Sequence, residues 1–527
     1  MMAALEASTS SLPILVACKA KVGNSGATLM AGSNFAAVLP DAEDRGDRVS
    51  LHMEDTISAG AYLNDPALVE ILAKKAPEDL LYLEKLGVEF IKKEGRFDLR
   101  RPPGHRNLRT VFTVNLGFPM TIRGKSFTSV LRRAILQKKI LLGEGVSIVR
   151  LVLQRGRIAG AIGIRRKTGE VVGIECKAVI LACGGGGFLY EINTNPGDLT
   201  GDSYSLALEA GCLLRDMEFV QFFPCMYLGS PRVPIYSPIL SDGAVLRNKD
   251  GERFLARYEP QRMEQATRDA VSRAIFREIQ EGRGIEGGIY LDLTAIPQDL
   301  LAFRFPDLIA FFKNQGIDLQ KQWIRVAPSA HFFMGGVVIN ERCQTSIPGL
   351  FAAGEATGGI HGANRLSGNG LSDPLVFGRI AGRQAGEYAR EHEKISPPEN
   401  FFELPAGKQE GKIAQKEIEE VRKRVKHLMW EKVGIIRNGP GLIQANKELQ
   451  NWQAALEEKQ PEAKESLSSY FEVRSMLIAA QAVARPALIR EESRGAHFRE
   501  DFPASKPEWA KTIFTRLADR KIQASTS

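Results

Sequence analysis

The sequence predicts an α/β chain built on a doubly wound parallel sheet, with an inserted α+β segment and a C-terminal helical domain. Three observations carry this. Three short apolar runs each empty into a cluster of glycines, the pattern of strands that bring a ligand to their carboxyl ends. Between the second and third runs lies a stretch rich in aromatics and prolines that holds one long amphipathic helix. Late in the chain, beyond a Pro- and charge-rich stretch, apolar residues recur at heptad spacing.

Taken in order, the first residues read as the end of a helix. Ile14-Leu15-Val16, after Pro13, reads as a buried parallel strand. The turn Gly23-Asn24-Ser25-Gly26-Ala27-Thr28 offers small residues and free backbone N–H groups suited to an anion. A second strand, Ala178 to Cys183, leads into Gly184 to Gly187; a third, Leu350 to Glu355, is followed by Gly358, Gly359, Gly362, Gly368 and Gly370. In the inserted segment a helix starts at Thr267 as N-cap, carries Asp269 in its first turn, buries Val271, Ile275 and Ile279, and stops at Gly282. Lys394 to Gly411 reads as a linker. Ile418, Val421, Val425 and Leu428 mark one helix beyond it, Leu442, Leu449, Trp452 and Leu456 a second, and Leu467 to Ala484 a third. Gln523 to Ser527 are expected to fray. The domain boundaries that follow are 1–221 with 332–393 for the sheet domain, 222–331 for the insertion, 394–411 for the linker and 412–527 for the helical domain.

Composition narrows the function. With 527 residues, 44% hydrophobic and 25% charged, the chain is long enough for about three domains and too apolar for wholesale disorder. Its 50 glycines exceed the roughly 37 that average usage gives, and they cluster, which points to backbone held close to a ligand. The net charge of +8 is spread: Arg422 to Lys426 alternate with acids on one helix, so a solvated face is expected and nucleic acid is not. No apolar run approaches the ~18 residues of a membrane span, and the start lacks a secretory pattern. Six cysteines without a C-x-x-C pair argue against a local zinc or iron–sulfur motif and for a reducing, cytoplasmic setting. No metal site is expected.

Several blocks then become recognisable. Thr194-Asn195-Pro196 precedes Thr200-Gly201-Asp202; Asp216 to Phe222 follows; His331 stands before Met334-Gly335-Gly336. The most specific are Gly349 to Glu355 and His361-Gly362-Ala363-Asn364-Arg365-Leu366, and Glu492 to Pro503 closes the helical domain. In these blocks, and in order over nearly its whole length, the chain resembles the flavoprotein family of fumarate reductase and succinate dehydrogenase, whose relatives include L-aspartate oxidase and the adenylylsulfate reductase α-subunit. The resemblance implies FAD in the sheet domain, the insertion as a cap over it, and a small anionic substrate between them. It places Lys19, the turn with Ser25, Gly26, Thr28 and Gly32, Asp202, Glu355, and the Gly370-Leu371 pair at FAD. Some members attach FAD to a His; Ala27 stands there, so a non-covalent flavin is expected.

Two departures qualify this. The dinucleotide fingerprint G-x-G-x-x-G is absent from the start, and its one literal match, Gly282, Gly284 and Gly287, follows a helix rather than a strand. The family opens with a strand, the fingerprint and a helix; without that first strand the sheet should show a gap. A start assigned at an internal Met, real loss of flavin binding, and another arrangement remain as readings. Second, the resemblance puts catalysis on Arg268 and substrate binding on His331 and Arg365, but the family's second substrate His is Phe223, its proton relay is Ser237 and Leu240, and its carboxylate-binding Thr is Tyr236. An arginine does not readily give up a proton unaided, and a carboxylate against Phe223 is costly. The expected substrate therefore has one anionic end, met by Arg365, His331 and Arg268, and an aromatic or apolar end facing Phe222, Phe223 and Tyr236, unlike the family's usual dicarboxylate. An L-aspartate oxidase-like or adenylylsulfate reductase-like flavoprotein is one alternative; a flavin-free scaffold is another. Without iron–sulfur cysteines of its own, the chain needs an electron partner such as oxygen, a quinone or a separate iron–sulfur subunit.

Overall fold

The computed structural model describes residues 1–102, 104–236, 238–404 and 410–527. The first strand, β1 (Leu15–Cys18), pairs in parallel with β2 (Leu141–Glu144), Leu15 opposite Leu141. An antiparallel meander over Val146–Gln154, Arg157–Arg165 and Val171–Glu175 follows and leads to β3 (Val179–Leu181). The chain then builds a separate five-stranded antiparallel sheet. Its two long strands, β4 (Val220–Tyr227) and β5 (Ile324–Phe333), lie side by side, and α1 (Arg268–Gln280) packs on them. The return strand β6 (Leu350–Ala352) pairs in parallel with β3, and α2 (Asn369–Glu391) follows it.

Among the described residues the doubly wound sheet is interrupted, matching the gap expected from the sequence. β1–β2 and β3–β6 are separate two-stranded parallel sheets. All of β6 is buried, whereas Val179 and Ile180 of β3 are only half-buried and Leu15 of β1 is 42% exposed. Parallel strands of a doubly wound sheet are normally covered on both faces, so the exposure falls on the strands that lack an inner neighbour.

Three long helices close the chain: α3 (Gln415–Lys432), α4 (Gly439–Glu457) and α5 (Leu467–Ile489). The heptad positions do what their spacing implies, since Ile418, Val425, Leu428, Leu442, Leu449 and Leu456 are all buried. α5 is buried without a break from Met476 to Ala484, a helix enclosed by neighbours rather than lying on a surface. Residues 405–409 of the expected linker lie outside the described residues; within the rest, Phe401 is buried against Gly160 and Gly173.

The chain end corrects the expectation of fraying. Lys521–Thr526 pairs antiparallel with Ile513–Ala518, which in turn pairs with Leu214-Arg215. Ile513, Thr515 and Ile522 are buried, a two-residue alternation that the heptad pattern before it concealed.

Buried charge ties this end to the antiparallel sheet. Arg490, fully buried beyond α5, donates to Glu218 at 2.6 Å, to Glu492 at 3.1 Å, and to the carbonyls of Trp509 and Lys511. Removing one member of such a pair strands the other charge in the interior, at a cost of about 3–5 kcal/mol. Arg490→Met is expected to lower the unfolding free energy obtained from urea denaturation by an amount of that order, and with it the midpoint, and restoring neutrality with Glu218→Gln in the same chain should recover part of it. An unchanged midpoint in the single variant would contradict the assignment.

Candidate active site

The site forms where β4, β5, α1 and the segment before α2 converge. Arg268 is the first residue of α1; Thr267 is its N-cap, but its side chain makes no cap bond. Starting the helix there directs Arg268 back over β4, where its guanidinium stacks 5.2 Å from the Phe223 ring. The imidazole of His331, near the end of β5, also lies against that ring, with centroids 5.2 Å apart. Arg365 comes from the loop before α2 and stacks 4.5 Å over Phe332. Gly370 makes room for it, since a Cβ there would sit 2.5 Å from Arg365 Nη1.

Gln221 joins the two arginines. Its Oε1 accepts from Arg268 Nη1 at 3.2 Å and from Arg365 Nη2 at 2.9 Å, while its Nε2 donates to Asn364 Oδ1 and to the Arg365 carbonyl. Arg268 Nη2 also donates to Ser367 Oγ at 3.4 Å. Two guanidiniums sharing one neutral oxygen repel each other. Burial, then Arg365, holds Arg268 well below the ordinary arginine range. Burial lowers Arg365 to about 10, with Glu355 and Asp373 opposing. Burial, then Arg365 and Arg268, keeps His331 well below its usual value, so the imidazole is neutral. Arg268 and His331 retain partial exposure while Arg365 and Gln221 are buried, as expected of groups lining a narrow cleft. The arrangement is positive and poorly hydrated, and it suits a small anion.

The residues that the resemblance assigns to FAD come from the end of β1 and the turn after it, the start of the Asp202 helix, the end of β6 and the first turn of α2. Gly26, at φ +82°, precedes a short helical turn, Ala27–Met30, and a Cβ at Gly26 would meet nothing within 4 Å. Ser25 Oγ lies 3.5 Å from Cys18 Sγ, and the Thr28 carbonyl packs against Gly124. Lys19 and Asp202 meet each other: Lys19 Nζ is 2.6 Å from Asp202 and 3.3 Å from Glu472. Burial opposes the Lys19 charge, but these carboxylates outweigh it and raise its pKa. Glu355 approaches Gly185, where a Cβ would lie 2.3 Å from its Oε1, and accepts from the Phe333 N–H at 3.1 Å. Leu371 is buried in the first turn of α2. Open glycine turns at two strand ends, with a carboxylate beside them, fit a dinucleotide laid across the carboxyl ends. Ala27 offers no nucleophile for a covalent link.

The expected apolar end needs one correction. Phe222 does not face the cleft; it packs on Tyr190 and Trp430, with centroids at 5.4 and 6.2 Å, in the main core. Successive strand residues point to opposite faces, so Phe223 enters the cleft and its neighbour leaves it. Tyr236 packs on Gly32, 3.4 Å from a Cβ placed there, and its hydroxyl donates to Asp307, which Arg123 also pairs with. Leu240 is buried in the apolar core of the insertion, and Ser237 lies outside the described residues. Sequence reading missed Gln221, Ser367, Arg123 and Asp307. Gln221 stood inside a matched block, but only the fold shows that it touches both arginines.

Burial raises the Glu355 carboxyl from the ordinary 4.5 to about 7, with the Phe333 N–H and Arg365 opposing. A carboxyl raised on folding favours the fold below its unfolded value, and that contribution fades as pH climbs to the folded value. The urea midpoint of apoprotein should therefore fall between pH 4.5 and about 7, and the fall should be shallower in Glu355→Gln. Identical slopes would refute the assignment.

The chain is similar to known proteins over nearly its whole length. The FAD binding domain family matches residues 1–371, and the fumarate reductase flavoprotein C-terminal family matches residues 422–526. An FAD-dependent oxidoreductase of Methanocaldococcus jannaschii is 40% identical, over 95% of this chain and 92% of that one. One subunit of the CoM/CoB fumarate reductase of Methanothermobacter marburgensis is 38% identical, over 99% of this chain and 95% of its own length. Among solved structures, a mutant E. coli quinol fumarate reductase superposes with a TM-score of 0.88 at 28% identity, covering 100% of this chain and 94% of that one. The chain thus belongs to the FAD-dependent flavoprotein family that includes fumarate reductases and L-aspartate oxidases, and it is an oxidoreductase.

Proposed function

We propose that this protein moves a hydride between FAD and a small organic anion with one carboxylate and an apolar or aromatic distal group. The observation that carries this is the convergence of Arg268, Arg365 and His331 around Phe223, cationic and donor groups at one end and an aromatic ring where a further polar group would be needed for a dicarboxylate. FAD, when bound, supplies the hydride chemistry. Lys19, Ser25, Gly26, Thr28, Gly32, Asp202, Glu355, Gly370 and Leu371 would hold it without a covalent bond. Arg365 and His331 bind and orient the carboxylate, and Phe223 keeps water from the distal end. Arg268 holds the proton that substrate carbon receives; crowding by Arg365 and burial make that proton easier to give up than on a solvated arginine. Its partial exposure leaves solvent as the source of its next proton.

A separate electron-transfer subunit fits this reading. Among the described residues no cluster of His, Cys, Asp or Glu suits a metal, all six cysteines are unpaired, and one relative is named as a single subunit of its fumarate reductase. No helix among the described residues is long and apolar enough to cross a membrane, and the free thiols support a cytoplasmic setting. A second reading, a dicarboxylate of the fumarate type, is favoured by the name of that same relative.

Acid precipitation of the purified holoprotein should release its flavin into the supernatant; flavin retained on the polypeptide would rule out non-covalent binding. To separate the two substrate readings, dithionite-reduced holoprotein is mixed with cinnamate or with fumarate and flavin reoxidation is followed. Cinnamate, which carries a phenyl group in place of one fumarate carboxylate, should react at least about tenfold faster, and Arg268→Ala should slow it by about 10²–10⁴-fold. Phe223→His should shift preference toward fumarate. Faster fumarate reduction by the unmodified protein would establish the second reading instead.

A further inference from the structure

Thr194 makes a short contact with the His331 ring. Its Oγ1 lies 2.7 Å from His331 Nδ1 and 3.4 Å from the Ala330 carbonyl oxygen. We propose that Thr194 is a positioning residue whose hydroxyl fixes His331 as the Nε2–H tautomer, so that a neutral imidazole presents a donor to the anionic end of the substrate. This rests on the proposed function, in which His331 meets that end.

The hydroxyl has a single proton to donate. The distance of 2.7 Å to Nδ1 is that of a good hydrogen bond, whereas 3.4 Å to the Ala330 oxygen lies beyond the usual range of about 2.5–3.0 Å for a hydroxyl donor. That carbonyl also accepts the Thr194 backbone N–H at 2.9 Å, and the hydroxyl's shorter and stronger contact is the one to Nδ1. The proton therefore goes to Nδ1, which must then be unprotonated. A neutral imidazole carries its one proton on the other nitrogen. The neutral state follows from the surroundings, because the ring is enclosed with the guanidiniums of Arg268 and Arg365 nearby and burial disfavours a third cation.

The loop that supplies the hydroxyl is held in place. Asn193 bridges to Ala330 in parallel, the Ala330 N–H donates to the Ile192 carbonyl at 2.9 Å, and Asn195 Nδ2 donates to the His331 carbonyl at 3.3 Å. Phe223, tilted at 42° to the imidazole, restrains the ring plane. Were the tautomer reversed, Nε2 would turn a lone pair toward a carboxylate oxygen and repel it. Thr194 and Asn195 of this sequence block thus reach the site through His331.

The test uses holoprotein labelled with ¹⁵N-histidine. Of the seven histidines, His331 is identified by the signals lost in His331→Ala, and long-range ¹H–¹⁵N spectra report which ring nitrogen is protonated. Affinity is read from the flavin absorbance change on titration with cinnamate and with fumarate, using whichever binds the unmodified protein more tightly. The expected result is Nε2–H in the unmodified protein and a tautomer mixture in the near-isosteric Thr194→Val. Affinity in that variant should be about tenfold weaker, as loss of one well-placed donor implies, with the thermal midpoint unchanged. Thr194→Ser should restore both tautomer and affinity, which a merely structural role would not require. An Nδ1–H signature in the unmodified protein overturns the proposal. So does a Thr194→Val variant with unaltered tautomer and affinity while His331→Ala binds weakly. Unaltered affinity in His331→Ala overturns instead the underlying reading that His331 meets the anion.

Discussion

Two guanidiniums held on one neutral oxygen set the terms for the rest of this molecule. Arg268 and Arg365 both donate to Gln221 Oε1, and such a pair is stable in a poorly hydrated cleft only if the protein around it is rigid enough to keep the charges together. The surrounding fold supplies that rigidity from separate directions. Gln221 is fixed by Asn364 and by the Arg365 carbonyl, Asn364 in turn donates to Asp269 at the start of α1, and Ser272 one turn on donates to the Phe222 carbonyl. The antiparallel sheet, α1 and the loop before α2 are thus locked together at the point where the proposed substrate would bind. In that proposal, an anion entering between the guanidiniums would relieve a repulsion already present, a preorganised form of binding.

Charge is also what closes the far side of the structure. Arg437, Arg490 and Arg499 are all buried, and each donates to carbonyls or carboxylates. Arg437 reaches the Glu218 carbonyl, and Arg490 reaches the Glu218 side chain, three residues before Gln221. The helical C-terminal part therefore holds the base of β4 while α1 holds its middle. Such networks add little net stability compared with apolar packing, but they penalise any misplacement heavily. That is useful under a strand that carries Gln221 and Phe223 in successive pleats.

Much of the fold was legible in local pattern, and the reasons differ by element. The glycine-terminated strands announced themselves because closely approached backbone excludes Cβ, as at Gly185 against Glu355 and Gly370 against Arg365. The heptad leucines of α3 and α4 were legible because a helix buries one face at a fixed period. The final hairpin was missed because its alternation covers few residues and its partner strand, Leu214-Arg215, lies about three hundred residues earlier. Phe222 and Phe223 looked equivalent in the sequence, and only the pleat of β4 assigns one to the core and the other to the cleft.

By itself the sequence determined the class of fold, the kind of cofactor, and the residue types in the cleft, because these depend on motifs whose spacing is local. It also carried the resemblance-based expectation, part of the proposed function, that Phe223 and Leu240 stand where relatives of the family hold polar groups. The tertiary structure decided which of these groups act together. Gln221 touching two arginines, Thr194 touching His331 Nδ1, and Lys19 pairing with Asp202 join residues that are 47 to 183 positions apart. Hydrogen bonds and charge interactions of this kind depend on distances of a few ångströms, and those distances are set by the packing of β4, β5 and α1.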